Sequence, residues 1–362
     1  MPKTMHAVLL TGHGGYEMLD YGTDVPVPQP KPGEVLIRVA AAAINNTDIN
    51  TRTGWYSKAV TEGSNAGGAA GYARVDDADA AWSGTALAFP RIQGADCCGH
   101  IVGVGEGVDA ARIGERVILR NMLRSPVGWR PWECWTFGSE CDGGFAQYAV
   151  APARESYAVR CDWTDAELAA IPCAWSTAEN MLHRANVGAE TVLITGASGG
   201  VGSSAVQLAK LRGATVIALA GKAKAAEVLA LGADRVIDRD ADLMAELGEG
   251  SVDVVLDLVG GPGWPQLLDV LRRGGRYAIS GAIAGPLAQI DLRTLYLKDL
   301  TLYGATFQDD EVFENLVSYI EAGCIRPVVA RTYPLSEIVQ AQKDFLAKGH
   351  VGKLVLIPPQ DE

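Results

Sequence analysis

The sequence predicts an α/β protein that combines a β-rich domain with a doubly wound parallel sheet. The first part of the chain has short apolar runs separated by Gly and Pro, such as "HAVLLTG", "GEVLIRVAAAAIN" and "GERVIL". This pattern is typical of a compact, barrel-like β domain. From "TVLITGA" onward strand and helix patterns alternate, which favours a parallel sheet covered on both faces. The final "GKLVLIPP" is strand-like again, so the chain is expected to return to its first domain.

Length and composition limit the possible functions. With 362 residues, the chain is long enough for about two domains. A hydrophobic content of 48% supplies large cores without a metal or disulfide. A net charge of -12 disfavours nucleic acid and anionic membranes as partners, since both are polyanions. The irregularly spaced cysteines and the absence of a long apolar run predict a cytoplasmic protein with free thiols.

The stretch "TVLITGASGGVGSSAVQLAKLRGATVIALAG" predicts a dinucleotide site. A strand runs into a glycine-rich turn, and a helix and a second strand follow, which is the context that such a turn requires. Glycines let a pyrophosphate approach the backbone N–H groups at the helix N-terminus, where the helix dipole favours an anion. The predicted cofactor-binding residues of this turn are Gly196, Ser198, Gly199, Gly200, Val201 and Gly202.

Basic residues follow the next two predicted strands. An NAD site usually has Asp or Glu after the second strand, where it binds the ribose 2′-hydroxyl. Here Lys222 and Lys224 stand at that place, and Arg239 follows the third strand. Positive side chains suit a 2′-phosphate, and cations at a helix N-terminus are otherwise unfavourable. The pattern therefore predicts NADP(H), with a solvated lysine face as the alternative.

Over nearly its whole length the chain resembles the medium-chain dehydrogenase/reductase superfamily. The resemblance is carried by "GEVLIRVAAAAINNTDINTRTGWY", "GADCCGHIVGVGEGV", "DGGFAQYAV", "TGASGGVG" and "IRPVVARTYPLSEIVQAQKDFLAKGHVGKLVL". It is closest to the zinc-free quinone oxidoreductase and enoyl reductase branch. The resemblance implies a GroES-like, β-barrel-type catalytic domain (residues 1–155 and 326–362) plus a Rossmann doubly wound parallel sheet (residues 156–325). It also implies a homodimer through the sheet edge, for which "LTLYGATF" is the candidate.

The stretch "GADCCGHIVGVGEGV" places metal-ligand types close together. In the resemblance, the catalytic zinc ligands of the alcohol dehydrogenase branch fall on Asn45, Ala95 and Cys173, and that branch's Glu falls on Asp96. A catalytic zinc needs three protein ligands, and only Cys173 is suitable. Cys134 and Cys141 alone do not complete the four-cysteine structural site of that branch either. We therefore expect no metal.

The resemblance also implies which residues line the active-site cleft. Asn45, Thr47 and Tyr56 are the catalytic candidates, and Tyr56 matches the proton-donating tyrosine of the enoyl reductases. A phenol is a weak acid but can donate to an enolate; alternatively, Tyr56 only shapes the pocket. Asp48 is expected to fix the loop through backbone N–H groups. Thr177 and Lys353 match residues near the cofactor, although a surface role for Lys353 is equally compatible with the sequence.

These residues predict an NADPH-dependent oxidoreductase that transfers hydride to an activated C=C bond or a quinone of a small-molecule substrate. Without zinc, such reductions need only hydrogen-bond donors at the carbonyl oxygen. Thr47 matches the proton-relay hydroxyl of the zinc branch, so a zinc-free alcohol or aldehyde dehydrogenase stays open, as does a non-catalytic, crystallin-like NADPH-binding protein. The insertion of residues 57–90 is expected to be mobile and to place Tyr72, Trp82 or Phe89 over the substrate pocket.

Overall fold

The computed structural model describes residues 1–124 and 133–360. The first part of the chain forms β1 (Thr4–Leu10), β2 (Leu19–Pro26), β3 (Glu34–Ala43), α1 (Asn46–Thr53), β4 (Arg91–Ile92), β5 (Cys98–Val104), β6 (Arg116–Leu119), β7 (Met122–Arg124), β8 (Cys134–Thr136), β9 (Tyr148–Pro152) and β10 (Ser156–Ala158). Strands and helices then alternate, as α2 (Asp165–Ala169), α3 (Pro172–Arg184), β11 (Thr191–Ile194), α4 (Gly200–Leu211), β12 (Thr215–Ala220), α5 (Ala225–Ala230), β13 (Arg235–Asp238), α6 (Leu243–Leu247), β14 (Val252–Asp257), α7 (Trp264–Asp269), β15 (Leu271–Ile279), α8 (Leu292–Leu297), β16 (Thr301–Gly304) and α9 (Asp310–Glu321). The last elements are β17 (Val329–Pro334), α10 (Ile338–Ala347) and β18 (Lys353–Ile357).

The middle of the chain forms a parallel six-stranded sheet in the order β13-β12-β11-β14-β15-β16. Along the chain, the first strand β11 lies at the centre, β12 and β13 extend the sheet to one edge, and β14, β15 and β16 extend it to the other. This is the doubly wound arrangement of dinucleotide-binding sheets. The apolar strands β11 and β14 lie next to each other at the centre, which explains their almost complete burial. The sheet confirms the predicted fold class, and its two edge strands are β13 and β16.

The β domain is built from both ends of the chain. Strands β2, β1 and β4 form one antiparallel sheet, and a second sheet has the order β10-β6-β5-β3-β18-β17, with β9 also paired to β3. Strand β18 pairs with β3 at Val355 and Ala43, so the chain returns to its first domain as predicted. The boundaries expected for the two domains stay a prediction. No helix in the described ranges is long and apolar enough to cross a membrane.

The helical stretch that follows Thr164 is divided in two. Thr164 caps α2, and its side chain accepts a hydrogen bond from the backbone N–H of Glu167, as expected of an N-cap threonine. A second helix, α3, begins at Pro172. Proline has no N–H to donate inside a helix but is well suited to a first turn, so it ends one helix and starts the next. The helical spacing alone had indicated one continuous pattern.

Residues 57–90 contain no strand or helix, yet hydrogen bonds and apolar contacts join them to the β domain. The fully buried guanidinium of Arg52 donates to the carbonyl oxygen of Gly68 at 2.5 Å and to that of Gly14 at 2.7 Å. Leu87 and Ala81 pack into a small core with Leu10. These contacts are between residues distant in sequence, so the Gly- and Ala-rich composition did not predict them.

Candidate active site

The glycine-rich turn lies between the end of β11 and the start of α4. Gly196 has a φ of +60°, a left-handed conformation that favours glycine. A Cβ on Gly202 would lie 2.2 Å from the carbonyl oxygen of Gly196, so the helix approaches the turn at a distance that only glycine permits. Gly199 is the N-cap of α4 and has no side chain to occupy the N–H groups of the first turn. This turn therefore provides the free amides that a pyrophosphate needs.

The predicted residues of this turn are brought together in one place. They lie in the loop before α4 or in its first turn: Gly196, Ser198, Gly199, Gly200, Val201 and Gly202. The carbonyl oxygen of Ser198 accepts a hydrogen bond from the N–H of Gly352 at 3.2 Å. A Cβ on Gly200 would lie 2.7 Å from Cδ of Lys353. The glycine turn thus touches the loop that returns to the β domain.

The predicted 2′-phosphate residues lie at the ends of two adjacent strands. Lys222 and Lys224 form a short 3-10 turn after β12, and Arg239 follows β13. Lys222 and Arg239 are exposed, whereas Lys224 is half-buried. Burial and the nearby Arg239 guanidinium lower the pKa of Lys224. The structure therefore brings Lys224 and Arg239 together, as a shared anion site requires.

Helix α1 begins at the candidate catalytic residues. The carboxylate of the buried Asp48 accepts hydrogen bonds from the backbone N–H of Asn45 at 2.8 Å and of Ala95 at 3.0 Å. This confirms the expected role of Asp48 in fixing the loop. Burial raises the pKa of Asp48 to about 7.

Tyr56 and Thr47 form a hydroxyl pair. The phenol Oη of Tyr56 donates to Oγ1 of Thr47 at 2.9 Å, and both side chains are half-buried. Burial raises the pKa of Tyr56, and the nearby Cys173 and Asp48 act in the same direction. The phenol is therefore neutral and acts as a donor. The ring of Trp55, which sequence reasoning did not select, lies edge-on to Tyr56 with centroids 5.7 Å apart.

A buried charge cluster lies beside this pair. Nζ of Lys353 lies 3.1 Å from Oδ2 of Asp96 and donates to Oδ1 of Asn45 and, at 2.9 Å, to the carbonyl oxygen of Ile44. Nδ2 of Asn45 donates to the same carboxylate at 2.8 Å. Lys353 is 3% exposed and Asp96 0%, which excludes the surface role left open for Lys353. The ammonium of Lys353 contacts Asn45 and Asp96 in the cleft, while its aliphatic part packs on Gly200 of the glycine turn.

Helix α3 contributes Cys173 and Thr177. The backbone N–H of Cys173 donates to Oδ1 of Asp96 at 2.6 Å. Burial, together with the Asp96 carboxylate, raises the pKa of the Cys173 thiol, so it is neutral at pH 7. Thr177 lies one turn further along the same face of α3 and is half-buried.

The donor set does not fit the catalytic zinc of the alcohol dehydrogenase branch. Ala95 has no donor atom, and both polar atoms of the Asn45 amide are engaged by Lys353 and Asp96. The ammonium of Lys353 lies between these side chains and would repel a dication. Within residues 1–124 and 133–360 there is no cluster of three or more His, Cys, Asp or Glu side chains able to hold a metal ion.

The three aromatic residues of the insertion, one of which was expected over the substrate pocket, make contacts away from Tyr56. Phe89 packs edge-on to His13, with ring centroids 5.0 Å apart. Tyr72 donates to the carbonyl oxygen of Gly63 at 2.8 Å, and the N–H of Trp82 donates to Ser139. None of these contacts reaches Tyr56. The aromatic residue beside the candidate site is instead Trp55, whose Nε1 donates to the insertion at Glu62.

Comparison with known proteins agrees with this geometry. Residues 31–160 match the alcohol dehydrogenase GroES-like domain, and residues 200–322 match the family described as zinc-binding dehydrogenase. Acryloyl-coenzyme A reductase of Metallosphaera sedula is 32% identical, over 97% of this chain and 99% of its own. Quinone oxidoreductase of Lama guanicoe is 30% identical, over 98% of each chain. A crystal structure from Sinorhizobium meliloti 1021, provisionally named an alcohol dehydrogenase, is 49% identical with a TM-score of 0.86, over 99% of this chain and 98% of its own.

The fold and these matches define an oxidoreductase with a GroES-like domain and a Rossmann-like parallel sheet. The chain belongs to the medium-chain dehydrogenase/reductase superfamily, as its motifs had indicated.

Proposed function

We propose that this protein is an NADP(H)-dependent reductase of activated carbon–carbon double bonds or quinones and that it works without a metal ion. The observation that carries the proposal is the Tyr56–Thr47 hydroxyl pair, placed beside a cluster in which a lysine stands among the zinc-ligand positions. The similarity to an acryloyl-coenzyme A reductase and to quinone oxidoreductases supports the substrate class.

The cofactor supplies a hydride when it is bound, and the protein binds the cofactor and donates the protons. The free amides before α4 suit the pyrophosphate, and Lys224 with Arg239 suits a 2′-phosphate. Lys353 contacts both Gly200 and Asn45, so it fixes the glycine turn relative to the cleft. Preorganised groups of this kind cost no reorganisation during the reaction.

Thr47 and Tyr56 act on the substrate oxygen. A hydroxyl has one donor and two acceptor sites, and Thr47 already accepts from Tyr56. The Thr47 proton is therefore free to point at a substrate carbonyl. As hydride reaches the conjugated carbon, negative charge moves to that oxygen, and a donor placed there lowers the barrier. Tyr56 stays protonated because burial raises its pKa, so it can pass its proton to Thr47 as Thr47 gives its own proton to the enolate.

A zinc-free alcohol or aldehyde dehydrogenase is the second candidate. The Thr47 hydroxyl favours it, because the same relay can remove a proton from an alcohol. The 49% identity to a protein named an alcohol dehydrogenase points the same way.

The two candidates are separated by the class of substrate that exchanges a hydride with the cofactor. Purified protein is mixed with NADPH and a panel of simple enones, a short 2-enoyl thioester and quinones, and the absorbance of NADPH is followed. We expect oxidation of NADPH that depends on at least one acceptor of the panel. Alcohol-dependent reduction of NADP⁺ without any reduction of enones or quinones would favour the second candidate, and no turnover in either direction would favour a binding protein.

A further inference from the structure

The chain leaves helix α1 so that two aromatic residues follow in succession. Gly54 ends the helix with a φ of +71°, the left-handed conformation that favours glycine at a helix C-terminus. The N–H of Trp55 then donates to the carbonyl oxygen of Asn50 at 2.9 Å. This turn fixes the backbone of Trp55 directly before Tyr56, whose phenol belongs to the candidate active site.

Two contacts fix the indole of Trp55. Its Nε1 donates to the carbonyl oxygen of Glu62, in the insertion, at 2.9 Å. The ring also lies at 69° to the ring of Tyr56, with the centroids 5.7 Å apart. An indole has a single hydrogen-bond donor and no acceptor, and this donor is engaged. The half-buried side chain therefore offers a ligand only the apolar faces of its ring.

The hydrophobic cores of the protein do not explain the position of this indole. Within residues 1–124 and 133–360, no cluster of buried apolar side chains packs against Trp55. Trp163, Trp175 and Trp264, by contrast, lie in or against such clusters. Aromatic side chains beside a few polar groups are the usual lining of small-molecule sites. The place of Trp55 next to the hydroxyl pair agrees with that role.

The insertion holds the carbonyl group that orients the indole. The phenol of Tyr72 donates to the carbonyl oxygen of Gly63, the residue after Glu62, at 2.8 Å. The N–H of Ser64 donates to the carbonyl oxygen of Ile283, in the parallel-sheet domain, at 3.1 Å. Glu62 is thus followed by two residues whose backbone is bonded to other parts of the chain. The insertion therefore acts on the site through Trp55, although its own aromatic residues contact other places.

The groups around Thr47 indicate which shape of substrate fits. Thr47 accepts from Tyr56, so its own proton is free for a substrate carbonyl. Aromatic rings pair edge-to-face or offset-stacked with centroids about 4.5–7 Å apart. A flat ring conjugated with the bonded carbonyl can form such a pair with the indole of Trp55. An aliphatic chain has no π face for this pair and loses more conformational freedom on binding.

We propose that Trp55 determines the substrate specificity of the site. Its indole binds the aromatic ring of a planar acceptor, in which this ring is conjugated with the reduced C=C bond or is part of a quinone. The insertion sets the orientation of the indole through Glu62. This inference rests on the proposed reduction of activated double bonds or quinones, and it names the acceptors that the site prefers among them.

The test uses two enones that differ in one substituent. Benzylideneacetone has a phenyl ring on the C=C bond and ethylideneacetone has a methyl group there, so both offer the same carbonyl to Thr47. Trp55→Leu removes the aromatic ring, and Trp55→Phe keeps a ring but loses the bond to Glu62. Trp82→Leu is the matched control, because Trp82 is a half-buried tryptophan of the insertion that contacts Ser139. The values of kcat and KM are measured at saturating NADPH.

Trp55→Leu should raise the KM for benzylideneacetone roughly tenfold, as expected for the loss of an aromatic pair, and leave the KM for ethylideneacetone nearly unchanged. Trp55→Phe should show a smaller rise, again for benzylideneacetone alone. The kcat values should stay close to those of the wild type, because Tyr56 and Thr47 are retained. Trp82→Leu should match the wild type in every value. An equal rise in KM for both enones in Trp55→Leu, or no rise for either, would overturn the inference.

Calorimetry measures binding separately from turnover. The protein is saturated with NADP⁺, which has no hydride to transfer, and titrated with benzylideneacetone. Trp55→Leu should bind roughly tenfold more weakly than the wild type and Trp82→Leu. The unfolding temperature of each variant, if near that of the wild type, separates weaker binding from a folding defect. Equal affinity in Trp55→Leu, or no binding to the wild type, would contradict the inference.

Failure of the proposed function has a different result. The wild type would then bind benzylideneacetone in the calorimeter but would oxidise NADPH with neither enone and with no quinone. Trp55 would in that case still be tested by the affinities alone.

Discussion

Tyr56 and Thr47 share one hydrogen bond of 2.9 Å, and the proposed chemistry depends on it. Tyr56→Phe keeps the ring but removes the proton, so kcat should fall roughly 100-fold, as for the loss of a general acid. The affinity for NADPH should not change, because Tyr56 does not belong to the phosphate site. Tyr333→Phe removes a remote hydroxyl that donates to Asp344 at 2.6 Å and serves as the control. Unchanged kcat in Tyr56→Phe would show that Tyr56 only shapes the pocket.

Lys353 and Asp96 form a buried ion pair with a separation of 3.1 Å. Lys353→Met should lower the free energy of unfolding by about 3–5 kcal/mol, because it leaves a buried carboxylate without its cation. The double variant Lys353→Met/Asp96→Asn should recover much of this loss. Arg293→Met breaks an exposed pair as the control and should leave the unfolding free energy nearly unchanged, because solvent screens such a pair. Urea unfolding measures all four proteins, and equal stability of Lys353→Met and wild type would contradict the buried pair.

Local sequence predicted some residues of the site and missed others for a physical reason. The glycine turn was predictable because its strand, turn and helix are consecutive. Asp48 was predictable because its partner Asn45 lies three residues away. The contacts of Lys224 with residues 348 and 350 span more than a hundred residues, so only the folded chain brings them together. For the same reason Lys353 was placed near the cofactor by resemblance but not paired with Asp96.

At the scale of elements, the insertion of residues 57–90 connects the two domains. The N–H of Ser64 donates to the carbonyl oxygen of Ile283, in the loop after β15 of the parallel sheet, at 3.1 Å. A Cβ on Gly63 would lie 2.5 Å from that same oxygen, a backbone atom that cannot move cheaply. Gly63→Ala should therefore push the insertion away from the loop.

Steady-state kinetics of Gly63→Ala test whether the insertion borders the substrate pocket. We expect a higher KM for the substrate and an unchanged affinity for NADPH, because the glycine turn is not disturbed. Gly188→Ala is the control, since a Cβ there meets no atom within 4 Å. Identical kinetics on every substrate would leave the insertion without a role in the reaction.

Element prediction succeeded where strands are apolar and central. Strands β11, β12 and β14 were predicted because they are buried on both faces and read as continuous apolar runs. Strand β2 was missed because it is half-exposed and contains Gly22 and Pro26. Such an edge strand has little hydrophobic periodicity and cannot be distinguished from a loop.

At the scale of the whole molecule, exposed apolar side chains lie on and beside β16, an edge strand of the parallel sheet. Leu302 lies on β16, and helix α8 next to it exposes Leu292 by 63%, Tyr296 by 62% and Leu297 by 55%. An apolar patch beside an unpaired strand favours association with a second copy. We propose a homodimer through this edge.

Light scattering tests the dimer. The wild type should have twice the monomer mass at micromolar concentration, and Leu302→Lys should shift it toward the monomer, because a charge enters the apolar interface. Lys222→Ala, on the opposite side of the sheet, is the control. A monomer mass for the wild type at this concentration would contradict the prediction.

The proposed reduction needs no metal ion, and a zinc assay combined with kinetics tests this. The purified protein is treated with a mild chelator and analysed for zinc, and its acceptor-dependent oxidation of NADPH is then measured. Asn45 and Ala95 offer no zinc ligands of the usual kind, so we expect far less than one zinc per chain and full activity. Stoichiometric zinc whose removal abolishes turnover would contradict reduction without a metal.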